Sequence, residues 1–327
     1  MQRDRIALFA LDSGRSFLER VSEQLGVSPG GHEERAFEDG EHEIRPLDAV
    51  RGGDVYFVQS LHGGDVSLNE KLVRTLFFLG ALRDAGAARV TAVTPYLCYA
   101  RSDRRSKPGA PVGSRYVAQL FEAIGLDRIM VVDVHNPAAY ENAFRIPAEH
   151  LTAAPLLVDE LERTIGNQPA VVVSPDPGGV KRAERLRESL ARRLGRAVGM
   201  AFVEKHRADG VVRGGAVAGD VDDRVAIIVD DLASSGTTLA RAAAACRERG
   251  ARRALAAVTH GVFAAGASDT LRNSVLERLI VTDTIPIHGL DRDLLRDRVT
   301  VLDSAPLVAS AIVRLHESGS LRELWRS

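Results

Sequence analysis

The chain has 327 residues, 45% of them hydrophobic and 27% charged, with 43 Lys and Arg against 44 Asp and Glu. That length is too great for one ordinary core and predicts two domains, in the composition of a soluble globular enzyme. Near-zero net charge excludes a global field for nucleic acid or for an acidic membrane surface.

In chain order, the opening MQRDRIALFALDSGRS is charged at once and has only a short apolar run before Asp12. It reads as a first strand rather than a signal peptide. No apolar stretch reaches membrane-spanning length, so the expected location is the cytoplasm. Short Val/Ile-rich runs follow at 55–58, 90–93, 129–132, 171–173, 226–229 and 279–281, separated by longer Ala/Leu/Arg segments of helical period. This alternation predicts an α/β chain with mostly parallel sheets covered by helices on both faces. Ligands in such sheets sit at the carboxyl ends of strands, which draws attention to the loops just after these runs. Two basic clusters differ in kind: KRAERLRESLARRLGR (181–196) reads mostly as a helix's solvated face, whereas ARSDRRSK (100–107) is short and flanked by Tyr, Pro and Gly. Cys98 and Cys246 sit in apolar surroundings and read as reduced, buried thiols.

The chain also repeats itself. ALRDAGAARVTAVTPY (81–96) parallels ACRERGARRALAAVTHG (245–261), each a helix end, a Gly, a basic residue and a buried strand entering a polar loop. Upstream, VYFVQS (55–60) holds the place of VAIIVDD (225–231), so Gln59 and Ser60 stand where Asp230 and Asp231 stand. A duplicated α/β domain is expected, with a seam near 150–155 and an acid pair in one copy only.

The segment VAIIVDDLASSGTTL (225–239) carries the most specific chemistry. After a buried strand and two aspartates, Ser234, Ser235, Gly236, Thr237 and Thr238 precede an amphipathic helix. Amides at a helix start, four hydroxyls and a permissive glycine hold a phosphate without any lysine. The Gly-Lys pair of a P-loop is missing. Asp230 and Asp231 lie about one loop-width earlier, where carboxylates accept hydrogen bonds from vicinal hydroxyls. A pentose 5-phosphate satisfies both halves. A plain helix N-cap with acidic neighbours is the weaker reading.

IIVDDLASSGTTL resembles the phosphoribosyl-binding loop of the type I phosphoribosyltransferases. FEDGE (37–41), VRGGDVYFVQS (50–60), TPYLCYARSDR (94–104), VVDVH (131–135), VVSPDPGG (172–179), EKHR (204–207) and THGVF (259–263) narrow the resemblance to the ribose-phosphate pyrophosphokinases (PRPP synthases). The resemblance implies two tandem, duplicated phosphoribosyltransferase-like domains. Residues 1–150 would form the ATP side with the oligomer contacts. Residues 151–327 would bind ribose 5-phosphate, the last roughly 15–20 residues packing back on the first domain. The implied reaction moves the β,γ-pyrophosphoryl unit of ATP to the 1-hydroxyl of ribose 5-phosphate, giving PRPP and AMP for nucleotide biosynthesis.

On the same resemblance, Asp230 and Asp231 hold the ribose diol and the 234–238 loop the 5-phosphate. Lys205 and Arg207 are the catalytic cations, just before a Gly-rich stretch (208–219) that reads as a lid. Arg101, Ser102, Arg104 and His135 meet ATP, and Phe37, Asp39 and Glu41 contact adenine, usually from a neighbouring subunit. Mg²⁺ is the implied cofactor, with Asp176 its stronger ligand candidate and His135 the other. The implied partners are ATP, ribose 5-phosphate and further copies of the chain, in a dimer-based homo-oligomer of up to six, with no nucleic acid and no membrane. Four positions depart from the common bacterial pattern: Ser102 for glutamine, Ser234 for aspartate, His206 within the Lys-His-Arg triplet, and Arg145 for an acid. A non-catalytic regulatory homologue is the alternative, disfavoured by Lys205, Arg207 and the uninterrupted 230–238 segment. A phosphoribosyltransferase that consumes PRPP would not explain FEDGE, VVDVH and SPDPGG together.

Overall fold

The computed structural model describes residues 6–204, 206–208, 211–213 and 216–325, with side chains outside 205–215 and 325. The chain divides into two compact units. The first comprises the described residues up to Thr152 together with Ala305–Trp325, and the second Ala153–Ser304.

In chain order the first unit runs β1 (Ile6–Phe9), α1 (Arg15–Leu25), β2 (His32–Ala36), β3 (His42–Pro46), β4 (Asp54–Val58), α2 (Leu68–Asp84), β5 (Arg89–Thr94), α3 (Gly113–Ala123), β6 (Arg128–Val132), α4 (Pro137–Ala143) and β7 (Ala148–Leu151). Its main sheet is parallel in the order β1-β4-β5-β6-β7, and β2 and β3 form a separate antiparallel hairpin. Every residue of β4 is buried, the mark of a parallel strand covered on both faces. α2 begins on a capping pair: the Glu70 amide donates to the Ser67 hydroxyl at 3.2 Å, satisfying a first-turn donor. Phe78 of α2 packs edge-on against Phe9 and Phe57, with ring centroids 5.7 and 5.6 Å away, and anchors the core.

The second unit continues with α5 (Ala154–Ile165), β8 (Ala170–Ser174), α6 (Val180–Leu194), β9 (Gly199–Val203), β10 (His206–Ala208), β11 (Val211–Arg213), β12 (Val217–Ala218), β13 (Val225–Ala233), α7 (Thr237–Glu248), β14 (Arg253–Gly261), α8 (Ala267–Arg272), β15 (Arg278–Thr282), α9 (Arg292–Arg298) and β16 (Val299–Leu302). The sheet order is β12-β9-β8-β13-β14-β15-β16, parallel except for β12 on β9, and β10 pairs antiparallel with β11. Apolar clusters cover both faces of this sheet. The last helix, α10 (Ala305–His316), returns to the first unit and packs on α1. There the His316 ring nitrogen Nδ1 lies 2.7 Å from Asp54 Oδ2, joining a hydrogen-bonded group of Asp54, Tyr56 and Arg89.

All six apolar runs are sheet strands, and the duplicated α/β architecture is present. The strand order β1-β4-β5-β6-β7 recurs as β8-β13-β14-β15-β16. The repeated segments occupy equivalent places, since 81–96 spans the end of α2 and β5 while 245–261 spans the end of α7 and β14. At the end of β4, in the place of the acid pair, Gln59 is buried and its amide nitrogen lies 3.1 Å from the Ser60 carbonyl. Gly14 leaves room for it, because a Cβ there would meet Gln59 Oε1 at 2.3 Å. Both cysteines are free and buried, and burial pushes the thiol of Cys246 up to about 11. No described helix is long and apolar enough to cross a membrane.

Candidate active site

In the second unit, β13 carries Asp230 and Asp231 at the carboxyl edge of the sheet, Asp231 buried and Asp230 half-buried. Two adjacent carboxylates in such a place repel one another and need a counter-charge. Arg182, in the first turn of α6, supplies it: Nη1 lies 3.0 Å from Asp230 Oδ1 and Nη2 lies 3.0 Å from Asp231 Oδ1. The Asp231 amide also donates to Asp230 Oδ1 at 2.9 Å. Burial, followed by the hydrogen bond and charge of Asp231, pushes the Asp230 carboxyl up to about 7 despite Arg182.

Residues 234–238 follow directly. Gly236 takes a left-handed φ of 75°, and a Cβ there would meet Leu271 at 3.0 Å, so the bend suits glycine alone. Ser235 closes on the helix start, with its Oγ 3.0 Å from Thr237 Oγ1 and accepting from the Thr237 amide at 3.4 Å. The remaining first-turn amides of α7 have no partner within the helix, which leaves an anion-favouring end beside four hydroxyls. The loop is held from below by the segment after β14, whose Val262 and Ala264 amides donate to the carbonyls of Ala233 and Ser234 at 2.9 and 3.2 Å. Ser234 thus contributes its carbonyl to the frame.

Asp176 follows β8, the strand beside β13. Its Oδ1 accepts from the Gly179 amide at 3.2 Å, and the Ser174 hydroxyl donates to its carbonyl at 2.6 Å. Asp176, Arg182, Asp230, Asp231 and the 234–238 loop are therefore gathered along one sheet edge of the second unit. Nothing local marks Arg182 in the sequence, where it lies inside the basic run that reads mostly as a solvated face. Its place six residues after Asp176, in the first turn beyond the strand's end, was the available signal.

In the first unit, two loops are joined. Asn136 donates to Asp103 Oδ2 at 2.7 Å and caps α4 by accepting from the Ala139 amide, tying the turn of Arg101, Ser102 and Arg104 to the turn of His135. Asp133 and Tyr99, in these same loops, hold positive φ of 40° and 57°, a strained backbone that surrounding structure must impose. His135, Arg101 and Arg104 are exposed. The Ser102 hydroxyl accepts from the Gly113 amide at 3.0 Å, closing the base of the 102–113 loop onto α3. Arg145 caps the end of α4 through a hydrogen bond to the Asn142 carbonyl at 2.9 Å.

Phe37, Asp39 and Glu41 occupy the exposed tip between β2 and β3, where Asp39 accepts from the Glu41 amide at 3.0 Å. The Arg35 guanidinium stacks over the Phe37 ring at 4.8 Å. Lys205 lies outside the described residues. Arg207 falls on β10, and its side chain is likewise outside them.

Residues 6–125 match the N-terminal domain of ribose phosphate pyrophosphokinase, and residues 212–326 match the phosphoribosyl synthetase-associated domain. Ribose-phosphate pyrophosphokinase 1 of Streptococcus pyogenes serotype M3 is 35% identical over 326 residues, covering 99% of each chain. Its counterpart from Streptococcus pneumoniae serotype 4 is 35% identical over 322 residues, 98% of this chain and 97% of that one. The crystal structure of phosphoribosylpyrophosphate synthetase from Mycobacterium smegmatis matches with a TM-score of 0.86 at 34% identity, covering 96% of this chain and all of the other. This chain belongs to the ribose-phosphate pyrophosphokinase family.

Proposed function

We propose that this chain is a ribose-phosphate pyrophosphokinase acting in the cytoplasm. The 1-hydroxyl oxygen of ribose 5-phosphate attacks the β-phosphorus of ATP. The bond from that phosphorus to the α,β-bridging oxygen breaks, AMP leaves with the bridging oxygen, and the hydroxyl proton is lost. The observation that carries the reading is the succession along β13 and α7: a paired carboxylate, two serines, a glycine bend, then two threonines opening the helix. In this account Asp230 and Asp231 accept hydrogen bonds from the 2- and 3-hydroxyls, while residues 234–238 hold the 5-phosphate. Fixing both ends of the sugar orients its 1-hydroxyl, and positioning is most of what such a transfer requires. Arg182 is a positioning residue that keeps both carboxylates aimed and partly offsets the burial that pushes Asp230 up.

Lys205 and Arg207 stabilise the charge developing on the transferred phosphates, and Arg101, Arg104 and His135 bind the ATP phosphates. Ser102 contributes to the nucleotide pocket. Phe37, Asp39 and Glu41 cover the adenine of a neighbouring copy in a dimer-based homo-oligomer. The oxygen-rich set of Asp176, Asp230 and Asp231 on the second unit's sheet edge suits Mg²⁺, a hard cation, and Asp176 would hold it. When bound, Mg²⁺ supplies charge neutralisation to the phosphates.

The uninterrupted 230–238 segment favours an enzyme over a regulatory homologue. Incubation with ribose 5-phosphate, Mg²⁺ and ATP, followed by chromatography, is expected to give AMP and PRPP in equal amounts. No AMP at saturating sugar phosphate, with any of several nucleotides, would sink the enzyme reading.

A further inference from the structure

We infer that Asp12, His32 and Glu34 form a binding site for a divalent transition-metal ion, Zn²⁺ foremost, on the inner face of the β2–β3 hairpin. In an antiparallel hairpin the directly paired residues share a face. The register His32↔Pro46, Glu34↔Ile44 and Ala36↔His42 therefore puts two histidines and a glutamate on one side. That side faces inward: His32 and Glu34 side chains are 2% and 8% exposed, against 50% for Glu33 between them. A hairpin that covers a helix ordinarily turns apolar residues toward it. Here the inward positions carry metal-ligating groups.

The separations of the side-chain ligand atoms match those around a single ion. His32 Nε2 lies 3.3 Å from Asp12 Oδ1 and 3.2 Å from Glu34 Oε1. The Asp12 amide donates to Glu34 Oε1 at 2.6 Å and fixes that oxygen toward the turn after β1, whereas one ring N–H of His32 cannot serve both carboxylates well. Ligands at about 2.0–2.2 Å from a tetrahedral ion are themselves about 3.3–3.6 Å apart, close to both observed separations. One ligand atom from each of the three residues falls within 4.8 Å of the others. His42 lies on the other side of the same carboxylate, its Nε2 3.4 Å from Glu34 Oε2. Both ring nitrogens of His42, and Nδ1 of His32, are buried without a hydrogen-bond partner, an arrangement that calls for a ligand or water. Arg74 also approaches Oε2, at 3.5 Å, but its guanidinium is shared with Glu70 and sits on the His42 side of the carboxylate.

Access comes from Asp12, whose side chain is 76% exposed. Imidazole with two carboxylates suits Zn²⁺, and water would complete the coordination. Ligation would fasten the hairpin to the turn after β1. Its consequence is stability of the free protein, whatever reaction the chain performs.

The test is a Zn²⁺ titration of nucleotide-free, Mg²⁺-free full-length protein against a chromogenic chelator, with unfolding temperature read in parallel. It is run in an Asp176→Asn background to suppress binding at that carboxylate. We expect one Zn²⁺ per chain and a rise in unfolding temperature on saturation. Asp12→Asn should weaken binding at least tenfold, and His42→Gln by roughly 10–100-fold. His32→Gln should abolish it. Asp12 is exposed, so its variant decides the matter even if His32→Gln does not fold. Equal Zn²⁺ affinity and stoichiometry in the parent and in folded Asp12→Asn protein would overturn the site, as would a parent that binds no Zn²⁺.

Discussion

The guanidinium of Arg182 stands 3.0 Å from the Asp230 carboxylate, and its second nitrogen reaches Asp231 at the same distance. One cation thus holds two carboxylates that would otherwise repel each other at the sheet edge. Arg182→Gln keeps a donor but removes the charge. It is expected to raise the KM for ribose 5-phosphate roughly tenfold, about 1–2 kcal/mol, with a smaller effect on kcat. Steady-state kinetics with ATP held saturating measures this. An unchanged KM would mean that the carboxylates keep their aim without Arg182.

The raised Asp230 carboxyl makes stability depend on pH in a definite direction. Its folded value, about 7, lies above the unfolded value, so the folded state holds the proton more tightly. That contribution is full below the unfolded value of about 4 and is lost as pH rises through about 7. Asp230→Asn carries no such titration. In ligand-free protein the variant's melting temperature should gain on the parent between about pH 5 and pH 8. A difference that stays flat, or narrows with rising pH, would contradict the assignment.

Gly236 tests the phosphate loop by backbone geometry alone. At φ 75° with Leu271 only 3.0 Å from where a Cβ would sit, Gly236→Ala meets both strain and a clash. A cost of roughly 1–3 kcal/mol is expected, with weakened ribose 5-phosphate binding by calorimetry. Normal affinity in the alanine variant would remove this loop from the site.

How much of this was legible in the sequence follows from where each signal resides. β13 and its acid pair announce themselves locally, because a fully buried run must end where polar side chains can reach solvent or ligand. The duplication was legible too, since each copy spells the same helix end and buried strand. Arg182 was not. It belongs to a run of like charges on an amphipathic helix, and only the pairing of β8 with β13 puts it beside Asp230. The Asp12, His32 and Glu34 cluster was hidden for a related reason. Its members share a face through strand register and a turn 20 residues away, so no local spacing reveals it.

Asp54 shows how the last helix is held to the first unit. Its buried carboxylate meets Arg89, Tyr56 and His316, and although burial disfavours its charge, the Arg89 and His316 hydrogen bonds hold it below the usual carboxylate range. Stability from this group is present above the unfolded value and is lost as pH falls through the lower folded one. Asp54→Ala should cost roughly 2–4 kcal/mol by denaturant unfolding, because Arg89 is left without its partner. A loss below about 0.5 kcal/mol would show the contact to be incidental.

The central claim is pyrophosphoryl transfer at a site whose sugar end is Asp230 and Asp231. The most direct measurement follows label from γ-³²P ATP in the presence of ribose 5-phosphate and Mg²⁺. Label is expected in PRPP, with unlabelled AMP as co-product. Lys205→Ala should cut the rate strongly while leaving ribose 5-phosphate affinity nearly intact, and Asp231→Asn should raise the sugar-phosphate requirement. Label appearing in a sugar bisphosphate with ADP, or only in free phosphate, would contradict it.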